Sequence, residues 1–202
     1  MSGAILTTKN KQLLVEGRTP QRFFQALVAH LALPVEVQNF GGNTELRAFL
    51  KGFRRSPGFE GRVESIGVVR DAETNPDGAF ISVRDALRDA ELPVPHVPIR
   101  PSEGTPQTSI LILPDQNTTG MLETLCWAAV EDDPAALCVD RYLDCLQDRM
   151  PEMPGNPEKA RIQAFLASRQ KAGLLVGEAA DKGYWPWDAP AFDQIRAFLQ
   201  DL

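Results

Sequence analysis

The segment KQLLVEGRTPQRFF, residues 11–24, joins a short apolar run to the start of an amphipathic helix. Residues 12–16 are mostly apolar, as in a short buried strand, whereas apolar side chains recur at helical spacing after Pro20. Thr19 followed by Pro20 is typical of an N-cap and the first position of a helix. The segment therefore predicts a strand, a turn that carries Glu16, and a helix.

The same order of elements recurs through the first half of the chain. Strand patterns are found at residues 35–40, 63–69 and 109–113, and helical patterns at residues 44–53 and 77–90. The fourth strand is apolar throughout, which is typical of a buried parallel strand. Alternating strands and helices predict an α/β fold, Rossmann-like, with βαβ units around a mainly parallel four-stranded sheet.

The second half of the chain is predicted to be helical. Residues 91–106 are rich in proline and are expected to form an extended connection into the fourth strand. Helical patterns follow near residues 119–131, 134–148, 157–170 and 190–201. Like the helix after Thr19-Pro20, three further predicted helices begin with a capping residue and proline, at Asn75-Pro76, Asp133-Pro134 and Asn156-Pro157. We expect a core of residues 1–116 and a helical extension of residues 117–202 packed on it, together one compact domain.

Composition limits the class of protein. Of 202 residues, 43% are hydrophobic and 24% charged, which is ordinary for a soluble globular protein. No apolar run approaches the roughly 20 residues that cross a bilayer, and the N-terminus lacks the pattern of a secretory signal. We therefore expect a cytoplasmic protein without a membrane segment. Cys126, Cys138 and Cys145 are interpreted as reduced core thiols.

The net charge of −6 disfavours non-specific binding of nucleic acid over the whole surface, because such binding depends on neutralising phosphates. A local basic groove remains compatible with this charge. Arg18 follows the first acid at the predicted N-terminus of a helix, where a guanidinium and backbone N–H groups can bind phosphate together.

Three of the four predicted strands are followed by acids. Glu16 follows the first strand, Asp71 and Glu73 follow the third, and Asp115 follows the fourth. In a parallel sheet these ends share one edge, where ligands collect. Carboxylates held close together repel unless a cation or protons intervene, and hard oxygen ligands suit Mg²⁺ or Mn²⁺. The alternative is structural, since Asp after a strand commonly forms an Asx turn or caps a helix.

These motifs resemble the Toprim (topoisomerase–primase) superfamily over roughly residues 10–115. The strand ending in VEG (residues 15–17), the helix after it, and the acid pair in VVRDAE (residues 68–73) carry the resemblance. It implies that Glu16 acts in catalysis and metal handling and that Asp71 and Glu73 bind Mg²⁺. The usual acid pair is Asp-x-Asp, and here the second member is Glu73. A further Asp of the pattern falls on Asp77 or Asp115.

The chain also resembles a small bacterial family of Toprim-like proteins without an assigned activity. The blocks that carry this resemblance are QNFGGNTELRAFL, GMLETL, KARIQAFLASR and DKGYWPWDAPAFD. Toprim nucleases bind a second metal through an acid from a later helix and stabilise the phosphate with a lysine. By this resemblance Glu123 is the candidate acid and Lys159 the candidate cation. A first-turn acid favoured by the helix dipole, and a solvated lysine, are the structural alternatives.

The resemblance implies a Mg²⁺- or Mn²⁺-dependent enzyme that cleaves phosphodiesters of nucleic acid, most simply a nuclease. The alternative is a catalytically weak or inactive Toprim-like module that works with a partner such as an ATPase. A third hypothesis is a nucleotide-binding α/β domain of flavodoxin type, which would bind phosphate at a helix N-terminus without a metal.

Overall fold

The computed structural model describes residues 7–202. The N-terminal segment in which the sequence shows no secretory signal begins with residues 1–6, and these lie outside the described residues. The strands are β1 Lys11–Val15, β2 Val35–Asn39, β3 Ser65–Asp71 and β4 Gln107–Leu113. They form one sheet in the order β2-β1-β3-β4, and every pairing is parallel. The predicted α/β fold with a parallel four-stranded sheet is confirmed.

Helices cover both faces of this sheet. In the first half they are α1 Arg18–His30, α2 Leu46–Arg54 and α3 Pro76–Asp89, and a 3₁₀ turn at Asn43–Glu45 precedes α2. In the second half they are α4 Leu122–Ala128, α5 Pro134–Arg149, α6 Pro157–Ala167, α7 Val176–Asp181 and α8 Asp193–Asp201, the last after a 3₁₀ turn at Pro190–Phe192. The extra C-terminal helices are thus present as predicted, and residues 92–106 form neither helix nor strand.

The alternation of side chains along the strands divides the core into two clusters. Leu13 and Val15 of β1 face a cluster that contains α1 and α4 to α8. Leu14, between them, faces the opposite cluster, to which α2 and α3 contribute. Strands β1, β3 and β4 are buried over most of their length and carry apolar runs, whereas the edge strand β2 alternates apolar with polar residues.

Helix starts follow the cap-and-proline pattern in three of the four predicted places. Asn75, Asp133 and Asn156 each accept a backbone N–H of the following helix, with proline in the first turn. The prediction for Thr19 is wrong, because α1 begins two residues earlier and Gly17 is its N-cap. Gly17 has φ +83°, a conformation that glycine adopts at no steric cost, and it makes no side-chain cap.

Two further expectations need correction. The interpretation of all three cysteines as core thiols holds for Cys126 alone, because Cys138 and Cys145 lie on the exposed side of α5. The short helix α7 was not predicted, because its six residues make less than two turns and its N-cap, Leu175, is not a capping residue type. Within residues 7–202, none of the helices combines the length and the apolar character that crossing a bilayer requires.

Candidate active site

The chain leaves the sheet in opposite directions after β1 and β3, which are neighbouring strands. The helix after β1 packs in one core cluster and the helix after β3 packs in the other. Such a switch point leaves a crevice at the carboxyl ends of the strands, which is where open α/β sheets bind ligands. Glu16 follows β1 and Asp71 ends β3, so the predicted acids flank this crevice.

A cleft of about 1020 Å³ opens at this edge of the sheet. Five of the predicted site residues line it together: Glu16, Asp71, Glu73, Glu123 and Lys159. Its other walls are the loop at residues 41–42, the loop at residues 119–121, the start of α6 and the start of α7. A larger hollow of about 1240 Å³ lies beside α1 and β2. Its acids Glu36 and Glu45 are engaged in hydrogen bonds to the backbone.

Asp71 is the acid most strongly affected by its surroundings. Burial, and after it the nearby charges of Glu123, Glu16 and Glu73, together raise the pKa of Asp71 to about 7. A hydrogen bond that Oδ1 accepts from the Leu122 backbone N–H, 2.9 Å long, opposes this rise. A negative charge on Asp71 is therefore costly unless a proton or a cation compensates it.

Glu16 is held at the turn between β1 and α1. Burial raises the pKa of Glu16, the charge of Arg70 lowers it, and the charge of Glu73 raises it again. The Asn43 backbone N–H also donates to Glu16 and favours the ionised form. Asn39, at the end of β2, accepts from the backbone N–H groups of Gly17 and Gly41 through its Oδ1, both at 2.8 Å. This one side chain ties together the two loops that surround Glu16.

The backbone around Glu73 turns away from the strand. An extended backbone at residues 71–73 would turn both acids to one side, but Glu73 has φ +51°, in the left-handed region. Its N–H and C=O groups instead pair with Gly120, at 2.7 and 2.8 Å. The loops after β3 and β4 are therefore joined, and Glu73 reaches the cleft from this bridge.

Glu123 and Lys159 lie at the starts of two helices that open onto the cleft. Glu123 is in the first turn of α4, close enough to raise the pKa of Asp71. Lys159 is an exposed residue in the first turn of α6, and its backbone N–H donates to the capping Oδ1 of Asn156 at 2.9 Å. Both candidates for phosphodiester chemistry thus line the same cleft as the acids at the strand ends.

The structure places the remaining predicted site residues elsewhere. The Asp115 carboxylate accepts from the backbone N–H groups of Asn117 and Thr118 and from the Thr118 hydroxyl, an Asx turn of the kind named as its structural alternative. Burial acts to raise the pKa of Asp115, but these hydrogen bonds outweigh burial and hold the pKa below its ordinary value. Arg18 lines the larger hollow beside β2, and Asp77 lies in the first turn of α3.

The carboxylates of the cleft fit a hard divalent cation by ligand type and by charge. Their oxygens are the donors that Mg²⁺ and Mn²⁺ prefer, and a cation would offset both the burial and the neighbouring negative charges that raise the pKa of Asp71. Within residues 7–202, no group of three or more His, Cys, Asp or Glu side chains is arranged so that it could hold a metal ion.

Sequence reasoning missed two polar residues of the site. Asn39 ends a strand two residues before the first of a pair of glycines, a position where a side-chain amide often satisfies loop N–H groups. Arg70 immediately precedes Asp71, and extending the register of β1 and β3 brings it level with Glu16. Its guanidinium donates to the Ser82 hydroxyl at 3.0 Å. The pattern of acids after strands identified the acids themselves but gave no signal for Asn39 or Arg70.

The fold and the cleft define an α/β protein with a carboxylate-lined crevice at the switch point of a parallel sheet. The chain belongs to the DUF3226 family, described as a protein of unknown function, and the match covers residues 10–202. Among curated proteins, no sequence matches this chain.

Two solved structures of the C-terminal region of the Xanthomonas campestris pv. campestris OLD protein are similar to this chain. The structure phased with mercury shares 12% sequence identity, with a TM-score of 0.40, over 98% of this chain and 88% of that one. The structure phased with iodine shares 15% identity, with a TM-score of 0.44, over 96% of this chain and 94% of that one.

Proposed function

We propose that this protein is a Mg²⁺- or Mn²⁺-dependent enzyme that hydrolyses phosphodiester bonds of nucleic acid. The observation that carries the proposal is the convergence of Glu16, Asp71, Glu73, Glu123 and Lys159 on one cleft at the carboxyl edge of the sheet. The resemblance of the sequence to the Toprim superfamily agrees with this set of residues.

Glu16 and Lys159 have different roles in the proposed hydrolysis. In hydrolysis the oxygen of a water molecule bonds to phosphorus, the bond to the leaving sugar oxygen breaks, and that oxygen takes a proton from solvent. Glu16, whose pKa is raised, accepts the proton of the attacking water. Lys159 places positive charge beside the phosphate oxygens.

The proposed ligands of the cation are Asp71, Glu73 and Glu123, with Glu16 beside them. A bound divalent cation would supply charge neutralisation at the phosphate and a lower pKa for a bound water. Asp115 and Arg18 have no part in this proposal, because Asp115 is engaged in its own turn and Arg18 lines the neighbouring hollow.

The test is cleavage of labelled single- and double-stranded DNA and RNA by the purified protein with Mg²⁺ or Mn²⁺. We expect activity that EDTA abolishes and that Glu16→Gln and Asp71→Asn each reduce by about a hundredfold or more. Asp71→Asn is informative because the amide oxygen still accepts the Leu122 N–H while the negative charge is lost. A loss of activity in Asp71→Asn can therefore be assigned to the lost charge and not to the loss of this hydrogen bond.

The matched control is Asp132→Asn, which removes an exposed carboxylate from the turn between α4 and α5. It should cleave as the wild type does. Cleavage that survives both Glu16→Gln and Asp71→Asn would come from a contaminant and would overturn the proposal.

One observation favours a second candidate, a Toprim-like interaction module with weak or no catalysis that works with a partner such as an ATPase. The Asp71 carboxylate already has a structural role, because it accepts the first backbone N–H of α4. Calorimetric titration with Mn²⁺ separates the candidates. Heat that disappears in Asp71→Asn supports the enzyme, whereas an absence of carboxylate-dependent binding, with and without a DNA strand, supports the module.

A further inference from the structure

An exposed leucine stands at the rim of the acidic cleft. Leu175 immediately precedes α7 and lines the cleft together with Pro20, Met121 and Val176. Its neighbour Leu174 is buried, whereas 51% of Leu175 is exposed to solvent. A large apolar side chain that faces water at the edge of a binding cleft is available for contact with a ligand.

The backbone that carries Leu175 is fastened on several sides. The Leu175 N–H donates to the Glu178 carboxylate at 3.0 Å, and the indole N–H of Trp185 donates to the Val176 carbonyl at 2.9 Å. Arg22 of α1 forms ion pairs with Glu178 at 3.0 Å and with Asp181 at 2.5 Å. These contacts therefore fix the backbone that presents the exposed Leu175 side chain at the rim.

The packing of α7 on α1 fixes this position further. A Cβ atom on Gly177 would lie 2.4 Å from the backbone oxygen of Thr19. Only glycine permits this close approach, which sets the start of α7 against the first turn of α1, next to the turn that carries Glu16. Leu175 and Glu16 thus lie just before two helices that pack against each other.

The charge of the cleft restricts what lies beside Leu175. Among the described residues that line the cleft, five are acids and one is a lysine; the acids are Glu16, Asp71, Glu73, Glu123 and Glu158. This lining repels phosphates other than those that a cation and Lys159 can neutralise. A duplex would bring the phosphates of two strands to this edge and would keep its bases stacked away from the leucine.

We infer that Leu175 packs against an unpaired nucleobase next to the cleaved phosphodiester, and that the substrate class is single-stranded nucleic acid or a frayed end. The inference rests on the proposed function and adds a residue that selects the substrate. Apolar side chains such as leucine insert between base steps at the cost of unstacking them, and an unpaired strand presents the face of a base without that cost. Leu175 is accordingly a specificity-determining residue whose contact favours unpaired strands over duplex.

The experiment compares Leu175→Ala with the wild type on a labelled 12-nucleotide single strand and on a blunt duplex of the same sequence. Initial rates with Mn²⁺ give KM and kcat, and fluorescence anisotropy with Ca²⁺ in place of Mn²⁺ gives Kd. We expect Leu175→Ala to raise KM and Kd for the single strand about tenfold and to leave kcat nearly unchanged, because a ground-state contact is lost. Leu175→Met, which keeps a long apolar side chain, should restore most of the binding.

Leu137→Ala is the matched control, because Leu137 is an equally exposed leucine, at 58%, on α5 outside the cleft. It should leave KM and Kd unchanged. If the wild type cleaves and Leu175→Ala keeps its KM and Kd for the single strand, the inference fails and the proposed function stands. The inference also fails if Leu175→Ala weakens duplex and single strand equally. If the wild type neither binds nor cleaves any of the strands, both are overturned.

Discussion

Asp71 combines two roles that make opposite demands on its charge. Its carboxylate accepts the first backbone N–H of α4, an arrangement that negative charge strengthens. Burial and the nearby charges of Glu123, Glu16 and Glu73 disfavour that same charge and raise the pKa of Asp71 to about 7. Without a cation, Asp71 therefore stays protonated in the folded protein up to a higher pH than in the unfolded chain.

This difference predicts how stability depends on pH. Between the ordinary pKa of 3.8 and the raised pKa of about 7, the folded state binds more protons than the unfolded state. Stability therefore falls as pH rises through this window. We expect the Tm of wild-type protein in EDTA to fall more between pH 5 and pH 8 than the Tm of Asp71→Asn, as measured by differential scanning calorimetry.

For Asp115 we expect stability to depend on pH in the opposite direction. Hydrogen bonds hold the pKa of Asp115 below its ordinary value, so this carboxylate stabilises the fold above that value and its contribution is lost as the pH falls. Asp115→Asn should lower Tm at pH 8 and have less effect at pH 3.

Parallel pH profiles for wild type and Asp71→Asn would contradict the account of Asp71.

At the scale of elements, local patterns predicted what local forces determine. Apolar runs and helical spacing identified all four strands and the long helices, and three capping residues marked helix starts correctly. Parallel pairing then placed Glu16 and Asp71 at one edge. The contacts of α7 with α1 were beyond such reasoning, because they join residues far apart in the chain.

The contact between Gly177 and Thr19 is the clearest of these long-range features. In Gly177→Ala the new methyl group would meet a backbone oxygen, which cannot rotate away, and the Cβ of Arg22 at 2.8 Å. We expect a loss of about 3 kcal/mol in the free energy of unfolding, because α7 must move off α1. Urea denaturation followed by circular dichroism measures this loss.

Gly155→Ala is the control for this change. Gly155 is exposed, and an added Cβ would meet nothing within 4 Å. Both substitutions reduce the freedom of the unfolded chain equally, so their difference reports the native contact. An equal stability of the two variants would show that α7 does not depend on this close approach.

At the scale of the whole molecule, one core joins the two halves of the chain. Gly67 of β3 lies under the C-terminal helix, and a Cβ there would be 3.0 Å from Leu202 and from Phe198. Leu13 of β1 belongs to the same cluster as Phe198. The division into residues 1–116 and 117–202 remains a proposal, and this shared core argues that the two parts fold together.

We therefore predict a single cooperative unfolding transition in urea. The tryptophans all lie after residue 116, at Trp127, Trp185 and Trp187, so their fluorescence reports the C-terminal helices. Amide exchange of peptides from β1 and β3 reports the sheet, and both probes should give the same midpoint because removing α8 would expose the buried faces of these strands. Gly67→Ala should lower both midpoints together, since the added methyl displaces α8 and strains the sheet at once. Loss of the tryptophan signal at lower urea than the strand amides would instead mean that residues 117–202 unfold as an independent domain.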